Sequence, residues 1–420
     1  MRIASVHLKN FRGFEDITVD LEPHVNVIVG INGAGKSSLL EGIARGIYAF
    51  GRQCNAFSFL EFDSLKDVRR KSEVTGSRAT FNPQYPCQCE VDVEHHGKSA
   101  RSVLTYDGGK FPLESVQGEY RLDVKRLEES WPLLLFFPAE RHWGHMQQLN
   151  EVAAVTRKSQ RVDAYNKWNA AATNAQVFFS WFVEKSMERM QLQAAGKENL
   201  EGHDLEILRK TLQPLLRIRN IYYDFIEKDI IVDWEASKDG GTARTAFSSL
   251  SDGEKEVICL FSEIVRRMGI LNPHLGAETV TRTDGVVLID ELDLHLHPSW
   301  QRKIVTCLHQ AFPQIQFIVT THSPQILGEV RPENVILLNN GAAEKPQQSF
   351  GLSTDSILTR VMETSATSKD IETDLGKISR LVDEDKIADA QNVLEALQRK
   401  VGYATPEMIR LQTLIEMFKD

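Results

Sequence analysis

Cysteine is scarce in this chain: Cys54, Cys87, Cys89, Cys259 and Cys307 are the only five among 420 residues. An odd, scattered set excludes a disulfide framework and fits reduced thiols. Cys87 and Cys89 leave two readings open. They could ligate a metal, or they could pack in a core, because Cys87, Cys89, Val91 and Val93 alternate along one face of a strand. No second Cys or His pair stands at a zinc-like spacing from them. Long apolar runs are missing too, so no segment is suited to cross a bilayer as a helix. The start, MRIASVHLKN, lacks the charged-then-apolar layout of a secretory signal, which sets a cytoplasmic expectation. Basic residues are in deficit, 49 Lys and Arg against 58 Asp and Glu, for a formal net charge of −9. That balance argues against a globally basic nucleic-acid coat and leaves only a local basic patch open.

The chain does have a hydrophobic share of 42%, enough for a large core in one or two domains. IASVHLKNF alternates, ITVDL follows, and Val25-Asn26-Val27-Ile28-Val29 reads as a buried strand. A helix is predicted from about Lys36, with Leu39, Leu40 and Ile43 on one side. Residues 77–106 read as an antiparallel set with turns at Gly97 and Asp107-Gly108-Gly109, and 132–137 (PLLLFF) as a short apolar strand. From about 151 to 215 the pattern turns helical, with Phe178, Trp181 and Phe182, then Val183, Met187 and Met190, at helical spacing. Strand-like residues return at 220–234, and a loop rich in Gly, Ser and Thr precedes Leu250. Two pure β runs, Val286 to Ile289 and Phe317 to Val319, then alternate with helices, the pattern of a parallel sheet. After about 345 the chain is helical and charged. Its last helix, after Thr405-Pro406, sets Met408, Leu411, Ile415 and Phe418 on one face, either to pack on its own domain or to dock a partner.

Three segments carry chemistry. Gly30-Ile31-Asn32-Gly33-Ala34-Gly35-Lys36-Ser37 fits G-x-x-x-x-G-K-[ST] in full, between a predicted strand and a predicted helix. Glycines let the loop aim backbone N–H groups of Asn32, Gly33, Gly35 and the Lys36-Ser37-Ser38 helix start at phosphates, where the helix adds partial positive charge. Lys36 is expected to reach the terminal phosphates and Ser37 to ligate Mg²⁺, with ATP as substrate. In Val286-Val287-Leu288-Ile289-Asp290-Glu291, a carboxylate closing a buried strand is costly unless it meets a cation. Asp290 is expected to hold Mg²⁺ through water and Glu291 to orient or deprotonate the attacking water. The third segment, Leu250-Ser251-Asp252-Gly253-Glu254-Lys255, also suits a plain helix cap when taken alone.

In the order P-loop, hexapeptide, acidic strand, that third segment resembles the LSGGE or LSGGQ signature of ABC-type ATPases, with Asp252 where many members have Gly. The resemblance implies that Ser251, Asp252, Gly253 and Glu254 start a helix facing the γ-phosphate bound by another subunit. Leu292-Asp293 and the residues to Pro298 resemble the D-loop, with Asp293 at the subunit boundary. Thr320-Thr321-His322-Ser323-Pro324 resembles the switch-histidine segment, with His322 sensing the γ-phosphate. His295 and His297 are spaced like a metal pair, or they shape the start of a helix with Pro298 near its first position. Asn10-Phe11-Arg12-Gly13-Phe14 resembles the NFRGF element of SMC, RecF and OLD-type ATPases, which places Arg12 near the nucleotide; a simple β-turn is the other reading. PLLLFFPAERHW takes the place of the Q-loop, with Glu140 or Arg141 near the ATP, but it has no glutamine.

Lys36 and Ser251 are 215 positions apart, which resembles the enlarged middle of the SMC/RecF/OLD group more than a transporter ATPase. DELDLHLHPSWQ, THSPQIL and the helical tail resemble the PtuA-type ATPases of Septu and retron anti-phage systems. The fold implied is α/β: an ABC-type ATPase head, with a mixed and parallel sheet and flanking helices, plus an inserted helical lobe and a helical C-terminal tail. Its expected divisions are 1–150 (head with P-loop), 151–215 (helical lobe), 216–345 (head with signature, acidic strand, D-loop and switch histidine) and 346–420 (tail for assembly or partner docking). The implied activity is ATP hydrolysis, with slow turnover an open option. The implied partners are a second copy, as a homodimer or higher homo-oligomer, and a PtuB-like HNH nuclease in trans; the chain holds no HNH or TOPRIM constellation of its own. The alternative is a RecF/SMC-like repair ATPase that clamps DNA, and direct contact with DNA or RNA stays open.

Overall fold

The computed structural model describes residues 1–52, 62–75, 78–120, 129–141, 160–171, 175–197, 200–235, 243–339, 341–362, 369–403 and 405–418. Cys54, residues 151–159 of the expected helical lobe and residues 236–242 of the loop before Leu250 lie outside them. The chain forms two compact units, Met1–Leu352 and Ser353–Asp420.

Four strands are buried along their whole length: Val25–Val29, Leu133–Phe137, Gly285–Ile289 and Ile315–Thr320. Sequences with so little polar alternation have no face to give to water, and they belong in a parallel sheet covered on both sides. Each fully buried Val, Leu, Ile or Phe in them contributes roughly 2 kcal/mol of transfer free energy. The amides among them are spent on backbone groups. Asn26 donates to the Glu22 carbonyl, and Gln316 donates to those of Ile3 and Glu22.

These strands form a six-stranded sheet in the order Ala342–Glu344, Val335–Asn339, Val25–Val29, Ile315–Thr320, Gly285–Ile289, Leu133–Phe137. All neighbours run parallel except the edge hairpin of Val335–Asn339 with Ala342–Glu344. Parallel pairing puts the carboxyl ends of five strands along one edge, where ligands of such sheets collect. The chain leaves that edge as residues 30–35, 138–141, 290–293 and 321–323.

A second sheet is antiparallel, in the order Phe14–Asp20, Arg2–Phe11, Cys87–His95, Lys98–Tyr106, Leu113–Gly118. Cys87, Cys89, Val91 and Val93 are all fully buried on its inner face. Burial pushes the Cys87 thiol up to about 12 and raises the Cys89 thiol well above its ordinary value. The pair packs a core. Helix Lys36–Arg52 touches both sheets, which explains why it is buried nearly all round.

Helices Ala175–Ala194 and Asp204–Leu216 pack with each other and with helix Asp252–Leu271. Phe178, Trp181, Phe182 and Val183 are buried, but the expected stripe fades: Met190 is 58% exposed. The second unit holds helices Thr354–Arg360, Lys369–Asp383, Ile387–Val401 and Pro406–Met417. Its own core includes Ile378, Val382, Leu394, Leu397, Met408 and Ile415, with Leu411 packed against it. Phe418 does not join the face expected of it. The last helix stops at Met417, and Phe418 is 60% exposed beyond its end.

Candidate functional site

The loop between Val29 and Lys36 turns through Gly33 at φ +84° and Gly35 at φ +97°, values that side chains other than glycine's disfavour. Gly35 has a second reason to be glycine: a Cβ there would stand 2.6 Å from the ring of Phe14. The Phe of the NFRGF element thus supports the loop from below. Lys36 begins the helix, and its Nζ donates to the carbonyls of Gly30 at 3.0 Å and Ile31 at 3.1 Å. Burial lowers its proton affinity, and the carboxylates of Asp290, Glu291 and Asp293 act in the opposite sense. Those three acids all come from the segment after the Gly285–Ile289 strand, next-but-one to Val25–Val29 in the sheet.

Thr320, at the end of the strand between them, organises that segment. Its hydroxyl donates to Asp290 Oδ1 at 2.5 Å and accepts from the Glu291 N–H at 2.7 Å. Glu291 itself stands at φ +52°. Asp293 accepts from the Thr321 hydroxyl at 2.6 Å and from the His322 N–H at 3.2 Å. The D-loop acid therefore fixes the backbone that carries His322, which is half-buried. Gln301, from helix Pro298–Ala311, donates to the Leu296 carbonyl at 2.9 Å and accepts from Ser323 Oγ at 2.8 Å, joining the two loops again. His297 is the N-cap of that helix, with Pro298 at its start.

Ser37 and Asp290 line one cavity of about 580 Å³ together with Glu41, Glu140, Arg45 and Asn169. Glu140 and Arg141, neighbours in sequence, part company here. Glu140 lines the cavity, while Arg141 is buried and pairs with Glu256 at 2.5 Å. Arg12 is held to the P-loop helix by one of these cavity residues, Glu41. It forms a two-pronged pair with Glu41 at 2.9 and 2.5 Å and reaches Asp67 at 3.1 Å. Asp67 also binds Arg45 at 2.8 Å. Burial acts against the Arg12 charge, but Glu41 and Asp67 outweigh it and raise its proton affinity. Arg12 is thereby joined to the P-loop helix one turn past Ser37.

The third expected segment, Leu250 to Lys255, lies beside the D-loop. Ser251 is the N-cap of helix Asp252–Leu271, in a reciprocal box: Ser251 N–H and Oγ donate to Glu254 Oε2 at 2.9 and 2.7 Å, and Glu254 N–H donates to Ser251 Oγ at 3.4 Å. Ser251 and Asp252 are exposed. Gly253 is buried, and a Cβ on it would meet the His295 carbonyl oxygen at 2.5 Å. That glycine lets the helix lie directly on the D-loop.

Sequence reasoning missed Thr320 as the link between Asp290 and Glu291, the Arg12–Glu41–Asp67–Arg45 cluster, and the Arg141–Glu256 pair. One local signal existed: Glu41 lies four residues after Ser37, on the P-loop helix. Two polar features lie elsewhere. His95, His96 and Asp284 bring ligand-type atoms within 4.8 Å of one another, but the Asp284 carboxylate is already paired with His95 and the N-terminal amine. Arg189, Arg209, Arg219 and Arg244 line a cleft of about 510 Å³ with Glu206 and Asp233. Among the described residues, no helix is long and apolar enough to cross a membrane.

The chain is similar to the "Retron Ec83 probable ATPase" of Escherichia coli, 28% identical over 409 residues that cover 81% of this chain and 72% of that one. It is also similar to the "Septu protein PtuA" of Bacillus thuringiensis, 25% identical over 344 residues covering 80% of this chain and 75% of the relative. Among solved structures, the SMC head domain from Thermotoga maritima aligns over 82% of this chain and 97% of its own, at a TM-score of 0.44 and 15% identity. Residues 1–73 match a family described as "AAA ATPase domain". Residues 96–328 match the family described as "AAA domain, putative AbiEii toxin, Type IV TA system". That second match takes in more than half of the chain, including the acidic strand end and the Ser251 helix start, so the protein belongs to this family of AAA-domain ATPases.

Proposed function

We propose that the protein hydrolyses ATP at a site shared between two copies, and that this cycle controls a separate nuclease in anti-phage defence. The observation that carries the shared site is the contrast between its two anion-binding parts. The P-loop already faces the acids of its own chain, whereas the Ser251 helix start points its box at solvent from exposed residues. A helix start of that kind offers free N–H groups and partial positive charge to an anion brought by another molecule.

In this reading the backbone N–H groups of Asn32, Gly33, Gly35 and the Lys36-Ser37-Ser38 turn cradle the phosphates, and Lys36 swings from the loop carbonyls to the terminal ones. Ser37, Asp290 and Glu140 present only oxygen donors to one cavity, a set suited to a hard cation such as Mg²⁺. Mg²⁺ would neutralise charge building on the phosphate oxygens. Glu291 takes the proton of the attacking water or orients it, held in place through its own backbone by Thr320. His322 donates toward the γ-phosphate as charge develops there. Asp293 keeps the His322 backbone in register with the acid pair. Ser251, Asp252, Gly253 and Glu254 of a second copy close over the γ-phosphate, with the Ser251–Glu254 box opening to release the hydroxyl.

The defence role is supported by the similarity to a retron ATPase and to a Septu PtuA over four-fifths of the chain. A second reading, a clamp on DNA, is favoured by the four-arginine cleft; ATPase activity stimulated by duplex DNA and suppressed by salt would support it. For the shared site the test is Glu291→Gln. With ATP this variant should elute as a stable species of at least twice the mass. An unchanged elution volume with and without ATP would count against a site completed by a second copy.

A further inference from the structure

We infer that Arg141 is a positioning residue that makes the backbone of Asp290 and Glu291 answer to the signature helix of the same subunit. The inference deepens the shared-site reading and rests on it. Arg141 follows the edge strand Leu133–Phe137, and its side chain is 1% exposed. Its Nε donates to Glu256 Oε1 at 2.5 Å. Its Nη1 donates to the Asp290 carbonyl at 2.6 Å and, at 3.3 Å, to that of Pro138. Its Nη2 donates to the Glu291 carbonyl at 3.1 Å. One planar fork therefore grips the helix that starts at Asp252 and, 149 positions from itself, the two acids at the strand end.

The grip matters because of the conformation it holds. Glu291 sits at φ +52°, in the left-handed region where a side chain crowds its own carbonyl. Two flanking contacts keep it there, Thr320 on its N–H and Arg141 on its C=O. Glu256 lies on the second turn of the signature helix, two residues past Glu254 of the capping box. Both Glu256 and Arg141 are buried, and a buried guanidinium that lets go of its carboxylate is left as an uncompensated charge. A shift of the helix must therefore carry the fork with it, and the rigid fork carries the two carbonyls. In a shared site the helix start touches the nucleotide of the other subunit, while Glu291 serves its own. Arg141 thus connects the two nucleotides: engagement of one sets the acid that acts on the other.

The experiment compares wild type, Arg141→Lys, Glu256→Gln and the double variant Arg141→Met/Glu256→Met. The readouts are ATP affinity, kcat, the Hill coefficient of turnover in ATP, and Tm. Lysine keeps the charge but not the fork, and glutamine keeps an acceptor oxygen, so both singles should fold. Each should bind ATP within about twofold of wild type yet lose about tenfold or more in kcat, with a Hill coefficient falling toward one. The double variant removes both charges and should recover Tm relative to the singles, but not kcat or cooperativity. Recovery of kcat along with Tm would make the pair a packing device and overturn the coupling. A wild-type Hill coefficient of one, in a protein that still dimerises with ATP, would overturn it as well and leave the shared site standing. If Glu291→Gln never forms an ATP-dependent dimer, the shared site fails first and the coupling goes with it.

Discussion

Two helices in this molecule begin with residues suited to an anion, and they begin in opposite surroundings. Helix Lys36–Arg52 starts inside the head, after a loop bent by Gly33 and Gly35, with Lys36 buried and facing three carboxylates of its own chain. Helix Asp252–Leu271 starts at the surface, where Ser251 and Glu254 satisfy each other. Past its first turn this second helix is as fixed as the first. Glu256 pairs with Arg141, and Glu263 pairs with Arg267, which also donates to the Asn166 carbonyl at 3.0 Å. A rigid helix with an exposed start, Ser251 and Asp252, is what a surface needs to meet a ligand that arrives from outside. A helix start surrounded by its own acids needs a ligand that brings a cation with it.

The sharpest way to break the comparison is to remove the buried member. Lys36→Ala takes away an ammonium that the three acids face and keeps Gly33 and Gly35, which set the turn of the loop. ATP affinity should fall about a thousandfold or more, ~4 kcal/mol, with Tm little changed. Titration of ATP followed by calorimetry checks it. Affinity within about twofold of wild type would deny Lys36 any part in binding phosphate.

The next effect concerns the anchored body of the surface helix. Glu263 is buried, and burial, the largest influence on it, acts to raise its pKa; Arg266 and Arg267 outweigh it and hold the group at about 2 against an ordinary 4.5. A carboxylate with a depressed folded value adds stability that is present above its unfolded value and lost as pH falls toward the folded one. Glu263→Gln should therefore cost about 3 kcal/mol near neutral pH. The gap from wild type should shrink as pH falls from 4.5 toward about 2. Denaturant titrations across that range measure it. A gap that stays constant with pH would mean the cost is packing, not charge.

Much of this layout was legible in the sequence because it is local. A glycine-rich run between an apolar strand and a helix, two acids closing a β run, and Ser-Asp-Gly-Glu at a helix start each declare themselves within ten residues or so. The strands and the parallel class of their sheet also followed from the unbroken apolar runs, but not their order: Leu133–Phe137, as apolar as the others, lies at the sheet's edge. What stayed hidden joins distant segments. Arg141 meets Glu256 and Asp290, Thr320 meets Asp290, and Arg12 meets Asp67. No periodicity marks such pairs, because each depends on the sheet order that brings separate strand ends together. Glu140 and Arg141 show the limit well: adjacent in sequence, one lines the cavity beside Ser37 while the other grips the helix of Glu256. The misplaced Phe418 has a different cause. It continues the apolar spacing of the last helix, but the helix ends one residue earlier.

The smallest expected change in stability tests the exposed member of the comparison and is the most discriminating. Ser251→Arg removes an N-cap hydroxyl from an exposed position, which should lower stability by only ~1 kcal/mol. A lone molecule has little further use for that hydroxyl, since its partner is Glu254 in the same turn. In a shared site, however, the new side chain obstructs the γ-phosphate held by the other subunit, so ATPase activity should collapse while ATP affinity at the P-loop survives. Lys36→Ala fails for the opposite reason, with an intact helix start and no grip on ATP. Mixed in equal amounts, the two variants form some dimers with one complete site, a good P-loop facing a good helix start. If subunits exchange freely, half the dimers are mixed and each has one site of two, so activity should return to at most about a quarter of wild type, and to less the more tightly Arg141 couples the two sites. No recovery, from variants shown to exchange subunits, would mean that the two helix starts never meet across a dimer.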